Sequence, residues 1–138
     1  MPFKIIRNDI TKVRANVIVN TANPRPITGT GMGSAVYHAA GETELLSERK
    51  KIGTIARGQA ADASAFNLLS KYIIHTVGPK WIDGNHGERE ILHSCYENSL
   101  LLAVRLKAES IAFSLIATGN YGFPKDETLS IALNEICK

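Results

Sequence analysis

Short apolar runs rich in β-branched residues alternate along the chain with longer segments in which apolar and polar residues mix. Four such runs, at residues 3–6, 16–19, 71–77 and 110–116, have the length and composition of β-strands. The run at residues 16–19 contains three consecutive β-branched residues, which is typical of a strand buried on both faces. We therefore expect parallel strands in an enclosed sheet.

The segments between these runs predict helices. Residues 88–107 carry apolar side chains at mixed spacings of three and four, as an amphipathic helix does, and form the longest helix expected. Shorter helices are expected at residues 34–40 and 42–51, and another from residue 125 to the end. Strands that alternate with helices predict a mainly parallel sheet covered on both faces, with ligand-binding loops beyond the carboxyl ends of the strands.

Length and composition narrow the class of protein. A chain of 138 residues with 44% hydrophobic content can bury one sizeable core, so we expect a single domain over residues 1–138. No stretch approaches the roughly 20 apolar residues that cross a bilayer, and no signal peptide is evident. Cys95 and Cys137 lack the spacing of a zinc or redox motif and fit reduced thiols. We expect a cytoplasmic protein without membrane attachment.

The charge balance says little about partners. The chain has 16 basic and 13 acidic residues, a net charge of +3, and no long block of like charge. The short cluster at residues 48–51 (ERKK) is expected to form a solvated helix face. Nucleic-acid binding is not indicated.

A glycine-rich loop follows the second predicted strand. In Gly-Thr-Gly-Met-Gly at residues 29–33, backbone N–H groups could approach a phosphate next to the start of a helix. A tight connection with no ligand is the alternative, because such loops are common. The dinucleotide-binding fingerprint fits poorly, since its third glycine would fall on Ser34, and a Walker loop is excluded by the missing Gly-Lys-Ser/Thr ending.

Five segments together resemble the motif series of the macro domain family. They occur in the family's order, cover nearly the whole chain, and read NDIT at 8–11, VIVNTAN at 17–23, AAG at 39–41, YIIHTVGP at 72–79 and ATGNYGFP at 117–124. The resemblance implies a three-layer α/β/α fold with a mainly parallel mixed sheet. It also implies that ADP-ribose lies across one edge of the sheet, and that no cofactor is needed.

The resemblance assigns roles to polar residues near the first two strands. Asp9 would accept a hydrogen bond from the adenine amino group and Ile10 would offer its N–H to a ring nitrogen, although Asp9 could instead cap a local turn. Asn23 would bind the hydroxyl groups of the distal ribose and position a water molecule. Asn20 would lie beside it, with the alternative that Asn20 only ties the loop.

Two loops would hold the diphosphate through backbone N–H groups. The residues assigned to them are Gly31, Met32 and Gly33 in the first loop, and Thr118, Gly119, Asn120, Tyr121 and Gly122 in the second. Phe123 would form a wall of the distal ribose site, although packing in the core is the alternative. Val36, with Ala35, would line the floor of the pocket.

The histidines have simpler expected roles. His75 lies among apolar neighbours in a strand, which favours a hydrogen-bonded core histidine over a catalytic one. His86 and His93 flank Glu90 at a spacing too loose for zinc, so we expect solvated helix surface and no metal site.

The sequence departs from the family's pattern at two places. Catalytic members of the best-known hydrolase branch carry an aspartate in the glycine loop, and here that position is Gly33. The expected function is therefore binding of ADP-ribose, whether free, O-acetylated or linked to protein. The alternative is a hydrolase that removes ADP-ribose from protein or deacetylates O-acetyl-ADP-ribose with help from Asn23, Tyr37 or His38. The family also usually continues into another strand and helix, so we expect a shortened member or a fragment of a longer protein.

Overall fold

The computed structural model describes residues 10–27, 32–114, 116 and 122–136. After a short 3-10 turn at Ile10–Lys12, the elements in chain order are β1 (Val17–Thr21), α1 (Met32–Ala40), α2 (Glu42–Ile52), β2 (Ala60–Ser64), β3 (Tyr72–Thr76), α3 (Glu88–Arg105), β4 (Ile111–Ala112) and α4 (Lys125–Ile136). The strand expected at residues 3–6 lies outside the described residues.

The described strands form one sheet in the order β2-β3-β1-β4. β1 runs parallel to β3, with Asn20 opposite His75, and parallel to β4, with Val17 opposite Ile111. β2 pairs antiparallel with β3. The expectation of a mainly parallel mixed sheet is confirmed.

Helices cover both faces of this sheet. Ile18 and Ile73 face α1 and α2, where they pack in one core cluster with Val36 and Leu45. The alternate residues of β1, such as Val19, face α3 and α4 and pack in a second cluster. The three-layer α/β/α arrangement and the burial of β1 on both faces are therefore confirmed. No helix within the described residues is long and apolar enough to cross a membrane.

The strand expected at residues 110–116 is much shorter in the structure. Among the described residues of this stretch, Ile111–Ala112 form the strand, and two residues that follow form hydrogen bonds with a helix side chain. The hydroxyl of Tyr96 on α3 donates to the carbonyl of Ser114 at 3.2 Å and accepts from the N–H of Ile116 at 3.2 Å. This side chain takes hydrogen bonds that a longer β4 would have given to the sheet.

One strand was not expected at all. β2 has the sequence Ala-Ala-Asp-Ala-Ser, which has few β-branched or aromatic residues. Its conformation follows from pairing with β3, where the carbonyl and N–H groups of an otherwise open edge find partners.

Candidate functional site

The chain leaves β1 at an edge of the sheet where β3 also ends. Ala22 donates its N–H to the carbonyl of Thr76 at 2.8 Å, which extends the contact between the two strands by one residue. Ile55 then donates its N–H to the carbonyl of Pro24 at 2.9 Å. Asn23 lies between these two anchors and is half-buried. The structure thus places it in a segment whose main chain is held on both sides.

Asn20 of β1 and His75 of β3 form a buried pair inside the sheet, close to this edge. The amide nitrogen of Asn20 lies 3.1 Å from Nδ1 of His75, and both side chains are fully enclosed. The ring of Tyr37 stacks on His75 with 6.0 Å between ring centroids. Burial, and then the positive charge of Arg49, lower the pKa of His75 to about 4. His75 is therefore neutral near pH 7.

The expectation of a hydrogen-bonded core histidine is confirmed by this pair. In this contact the Asn20 side chain joins β1 to β3, whereas the alternative expected for Asn20 was a tie to the loop. A direct contact between Asn20 and ADP-ribose stays a prediction.

Arg49 is buried beneath the same edge, which corrects the expectation that residues 48–51 form a solvated face. Its side chain is 1% exposed, whereas Lys50 and Lys51 are exposed. The guanidinium donates to the carbonyl of Asn23 at 2.9 Å, to that of Pro24 at 3.1 Å, and to that of Gly53. Burial lowers the pKa of Arg49.

Because Arg49 is charged, sequence reasoning placed it at the surface. Its position in the helix could have predicted that it is buried. Arg49 follows the buried Leu45 by four residues in α2, so the two side chains lie on the same face of the helix.

Helix α1 begins two residues earlier than expected, at Met32. Met32 and Gly33 are therefore in its first turn, where backbone N–H groups lack partners within the helix and favour an anion. Val36, on the next turn, is fully buried in the core with Ile18, while Ala35 is exposed. A role for Val36 at the pocket floor stays a prediction.

Phe123 packs into the core at the end of the second loop. It is 2% exposed, and its ring meets that of Trp81 edge-on with centroids 4.9 Å apart. The preceding Gly122 is exposed and has a left-handed φ of 72°. The alternative in which Phe123 packs in the core is thus confirmed. A contact between Phe123 and the distal ribose stays a prediction.

Several residues assigned to the ligand lie outside the described part of the chain. They are Asp9, Gly31, Thr118, Gly119, Asn120 and Tyr121. Ile10 is described, half-buried in the 3-10 turn and packed against the core cluster under α1.

The loop before α3 is organised by a buried carboxylate that sequence reasoning missed. Glu88 is 2% exposed and accepts backbone N–H groups at 2.6–3.1 Å from four residues, namely Ile82, Asp83, Gly84 and His86. Burial raises the pKa of Glu88, but these hydrogen bonds outweigh it and lower the pKa to about 2. The carboxylate is therefore charged and holds the loop in place.

The expected positions of His86 and His93 need correction, because neither simply forms solvated helix surface. His86 precedes α3, and its Nδ1 lies 2.9 Å from Asp83. His93 is half-buried and its Nδ1 lies 2.7 Å from the carboxylate of Glu135, which joins α3 to α4. Asp83, His86 and Glu88 bring ligand atoms within 4.8 Å of one another, but their hydrogen bonds already serve the loop.

Comparison with known proteins gives a family match. Residues 19–132 of the chain match the family model described as the macro domain. A macro domain-containing protein of Methanosarcina mazei is 44% identical over 97% of this chain and 71% of its own length. An O-acetyl-ADP-ribose deacetylase of Citrobacter rodentium is 42% identical over 96% of this chain and 76% of its own length.

Solved structures share the fold. The Oceanobacillus iheyensis macrodomain with ADP superposes with a TM-score of 0.89 at 41% identity, covering 94% of this chain and 71% of that one. A mutant of that macrodomain with ADPR has a TM-score of 0.84 at 40% identity, covering 94% and 73%. These relatives bind ADP and ADP-ribose on the same architecture.

Proposed function

The chain belongs to the macro domain family, and on that basis we propose that it binds ADP-ribose or a close derivative at the carboxyl ends of β1 and β3. The observation that carries the proposal is the placement of Asn23 at this edge, in a segment fixed by Ile55, Thr76 and Arg49. The loop that follows leads directly into the first turn of α1. An asparagine amide suited to ribose hydroxyls, followed in the chain by a helix start suited to phosphate, supports the proposal.

In this proposal the ligand lies along that edge, with its parts bound as the family resemblance implies. Adenine contacts Asp9 and Ile10, and Asn23 binds the distal ribose. Backbone N–H groups of the two loops, 31–33 and 118–122, bind the diphosphate. Binding through main-chain groups needs no lysine, which agrees with a net charge of only +3.

Calorimetric titration with ADP-ribose, ADP and AMP tests this function. We expect Asn23→Ala to weaken ADP-ribose binding by about tenfold, the value of one good hydrogen bond, and to leave ADP binding nearly unchanged. Asn134→Ala is the matched control, because Asn134 is an exposed asparagine on α4. If the wild-type protein binds none of the three nucleotides, the proposal is wrong.

A second candidate function is hydrolysis, favoured by the 42% identity to the Citrobacter rodentium O-acetyl-ADP-ribose deacetylase. Gly33 stands where catalytic members of the family carry an aspartate, so we expect turnover of O-acetyl-ADP-ribose to be slow. Restoring the carboxylate with Gly33→Asp is expected to raise the rate by about 10²–10⁴-fold, the usual contribution of a positioned base. Tight binding by wild type without turnover in either protein would rule out the enzyme.

We also propose that the protein is cytoplasmic and that residues 1–138 form one domain.

A further proposed ligand is ADP-ribose that is linked to protein. The binding test compares an ADP-ribosylated protein with its unmodified form. Retention of the modified form alone is expected, and equal retention of both would contradict the proposal.

A further inference from the structure

The buried guanidinium of Arg49 contacts backbone carbonyl groups that belong to two different connections. Two of its acceptors, the carbonyls of Asn23 and Pro24, lie just beyond β1, at 2.9 and 3.1 Å. The third, the carbonyl of Gly53, lies just beyond α2, the helix that carries Arg49 itself. One side chain therefore ties the exit of β1 to the end of α2.

These contacts are specific to the shape of arginine. A guanidinium offers five donors in a rigid planar fork and remains charged when it is buried, whereas a lysine ammonium is a single flexible point of charge. Carbonyl oxygens that accept from a cation form stronger hydrogen bonds than those that accept from a neutral donor. Pro24 adds to the rigidity of the segment, because its ring fixes φ.

Arg49 restrains the residue that is proposed to bind the ligand, and does so from inside the protein. Arg49 holds the main-chain carbonyl of Asn23, the residue whose side chain is half-buried at the sheet edge. Arg49 itself is 1% exposed and lies beneath this edge. It can therefore act on a bound nucleotide through the position of Asn23 and not by direct contact.

We propose that Arg49 is a positioning residue that sets the placement of the Asn23 carboxamide and thereby selects ligands that carry a distal ribose. The inference rests on the proposed function, in which Asn23 binds that ribose. ADP lacks the distal ribose, so the ratio of ADP-ribose affinity to ADP affinity isolates this part of the site.

Calorimetry on the whole chain with ADP-ribose and ADP tests the assignment. Arg49→Lys keeps the positive charge but cannot reproduce the fork, so we expect about tenfold weaker ADP-ribose binding and less than about twofold change for ADP. Arg49→Gln, a neutral variant that keeps amide donors, gives a second measurement if the lysine variant does not fold.

Two controls separate positioning from lost stability or lost charge. Leu45→Ala opens a cavity on the same face of α2 without touching the exit of β1, and is expected to leave the affinity ratio unchanged. Lys50→Met removes a positive charge from the neighbouring, exposed position and is expected to do the same.

A double-variant comparison completes the test. If Arg49 acts through Asn23, then Arg49→Lys combined with Asn23→Ala binds ADP-ribose no more weakly than Asn23→Ala alone. Equal weakening of ADP and ADP-ribose, or no change in either, overturns the positioning role while the proposed function stands. Failure of the wild-type protein to bind ADP-ribose overturns both, and that result is seen before any variant is made.

Discussion

Two buried tyrosines differ in what their hydroxyl groups contact. The hydroxyl of Tyr96 bonds to the carbonyl of Ser114 and to the N–H of Ile116, each at 3.2 Å. For the hydroxyl of Tyr37, no described residue offers a hydrogen-bond partner. The same chemical change at the two positions should therefore have different costs.

We expect Tyr96→Phe to lower the free energy of unfolding by about 1–3 kcal/mol, because it leaves buried backbone groups unpaired. Tyr37→Phe removes no described hydrogen bond and should change it by less than about 1 kcal/mol. Urea unfolding of both variants measures the difference. Equal destabilisation would contradict the assignment.

Glu88 gives a prediction about acid stability. Its pKa in the folded protein is lowered to about 2, below that of an unfolded glutamate. The stabilisation from its charge is therefore complete above the unfolded pKa and is lost as the pH falls towards 2. Glu88→Gln should be less stable at neutral pH and should lose less stability on acidification, as measured by urea unfolding across the acid range. Glu90→Gln, an exposed neighbour, should follow wild type.

Residue type predicted part of the site but not all of it. His75 could be assigned to the core because its neighbours in the strand are apolar. The roles of Glu88 and Arg49 could not. Glu88 depends on how the loop just before it folds, because four residues of that loop donate their N–H groups to its carboxylate. Arg49 depends on backbone carbonyl groups that another part of the fold brings to it. For Arg49, two of those groups are 25 and 26 residues away in the chain.

At the scale of elements, the end of α3 has an unusual residue in a common motif. The N–H of Ala108 donates to the carbonyl of Ala103, and that of Lys107 to Val104, both at 3.0 Å. This is the hydrogen-bond pattern of a Schellman cap, in which the left-handed position is usually glycine. Here Lys107 occupies it, with a φ of 58°.

We expect Lys107→Gly to raise the free energy of unfolding by about 1 kcal/mol, because glycine adopts this conformation without strain from a Cβ. The control Lys50→Gly, inside α2, should lower it by about 1 kcal/mol. Thermal or urea unfolding provides both values. A loss of stability in Lys107→Gly would show that the lysine side chain stabilises the cap.

Helices and strands were predicted well where the sequence itself has a period. The long helix α3 has such a period, and the strands β1 and β3 have an equally local signal, a short apolar run rich in β-branched residues. β2 has none, since its conformation comes from pairing with β3, and the expected strand at 110–116 was shortened by a side chain from α3. Both differences come from contacts between elements that are distant in sequence.

At the scale of the whole molecule, the one tryptophan of the chain can report on ligand binding. Trp81 packs on Phe123 and lies under the guanidinium of Arg89, which is 5.4 Å from the ring centroid. Phe123 directly follows the loop at 118–122 that we propose to bind the diphosphate. Binding there is expected to alter the environment of the indole.

We therefore expect ADP-ribose to change the tryptophan emission in a saturable way, with a midpoint that agrees with calorimetry. Trp81→Phe should abolish the signal while ADP-ribose still binds. Calorimetric binding by the wild-type protein with constant emission would contradict a link between the second loop and Phe123.

The central place of β1 has a consequence for how the chain is made. In β1, Asn20 pairs with His75 of β3, which lies 55 residues later in the chain. The other strand beside β1, β4, begins only at Ile111. At about 10 residues per second, a ribosome needs about 5 seconds to supply β3 after β1 has been synthesised. Throughout that interval the apolar Val-Ile-Val segment of β1 has neither neighbour in the sheet. While residues 21–76 are being synthesised, the nascent chain therefore carries this apolar segment without a partner strand, a condition that favours aggregation.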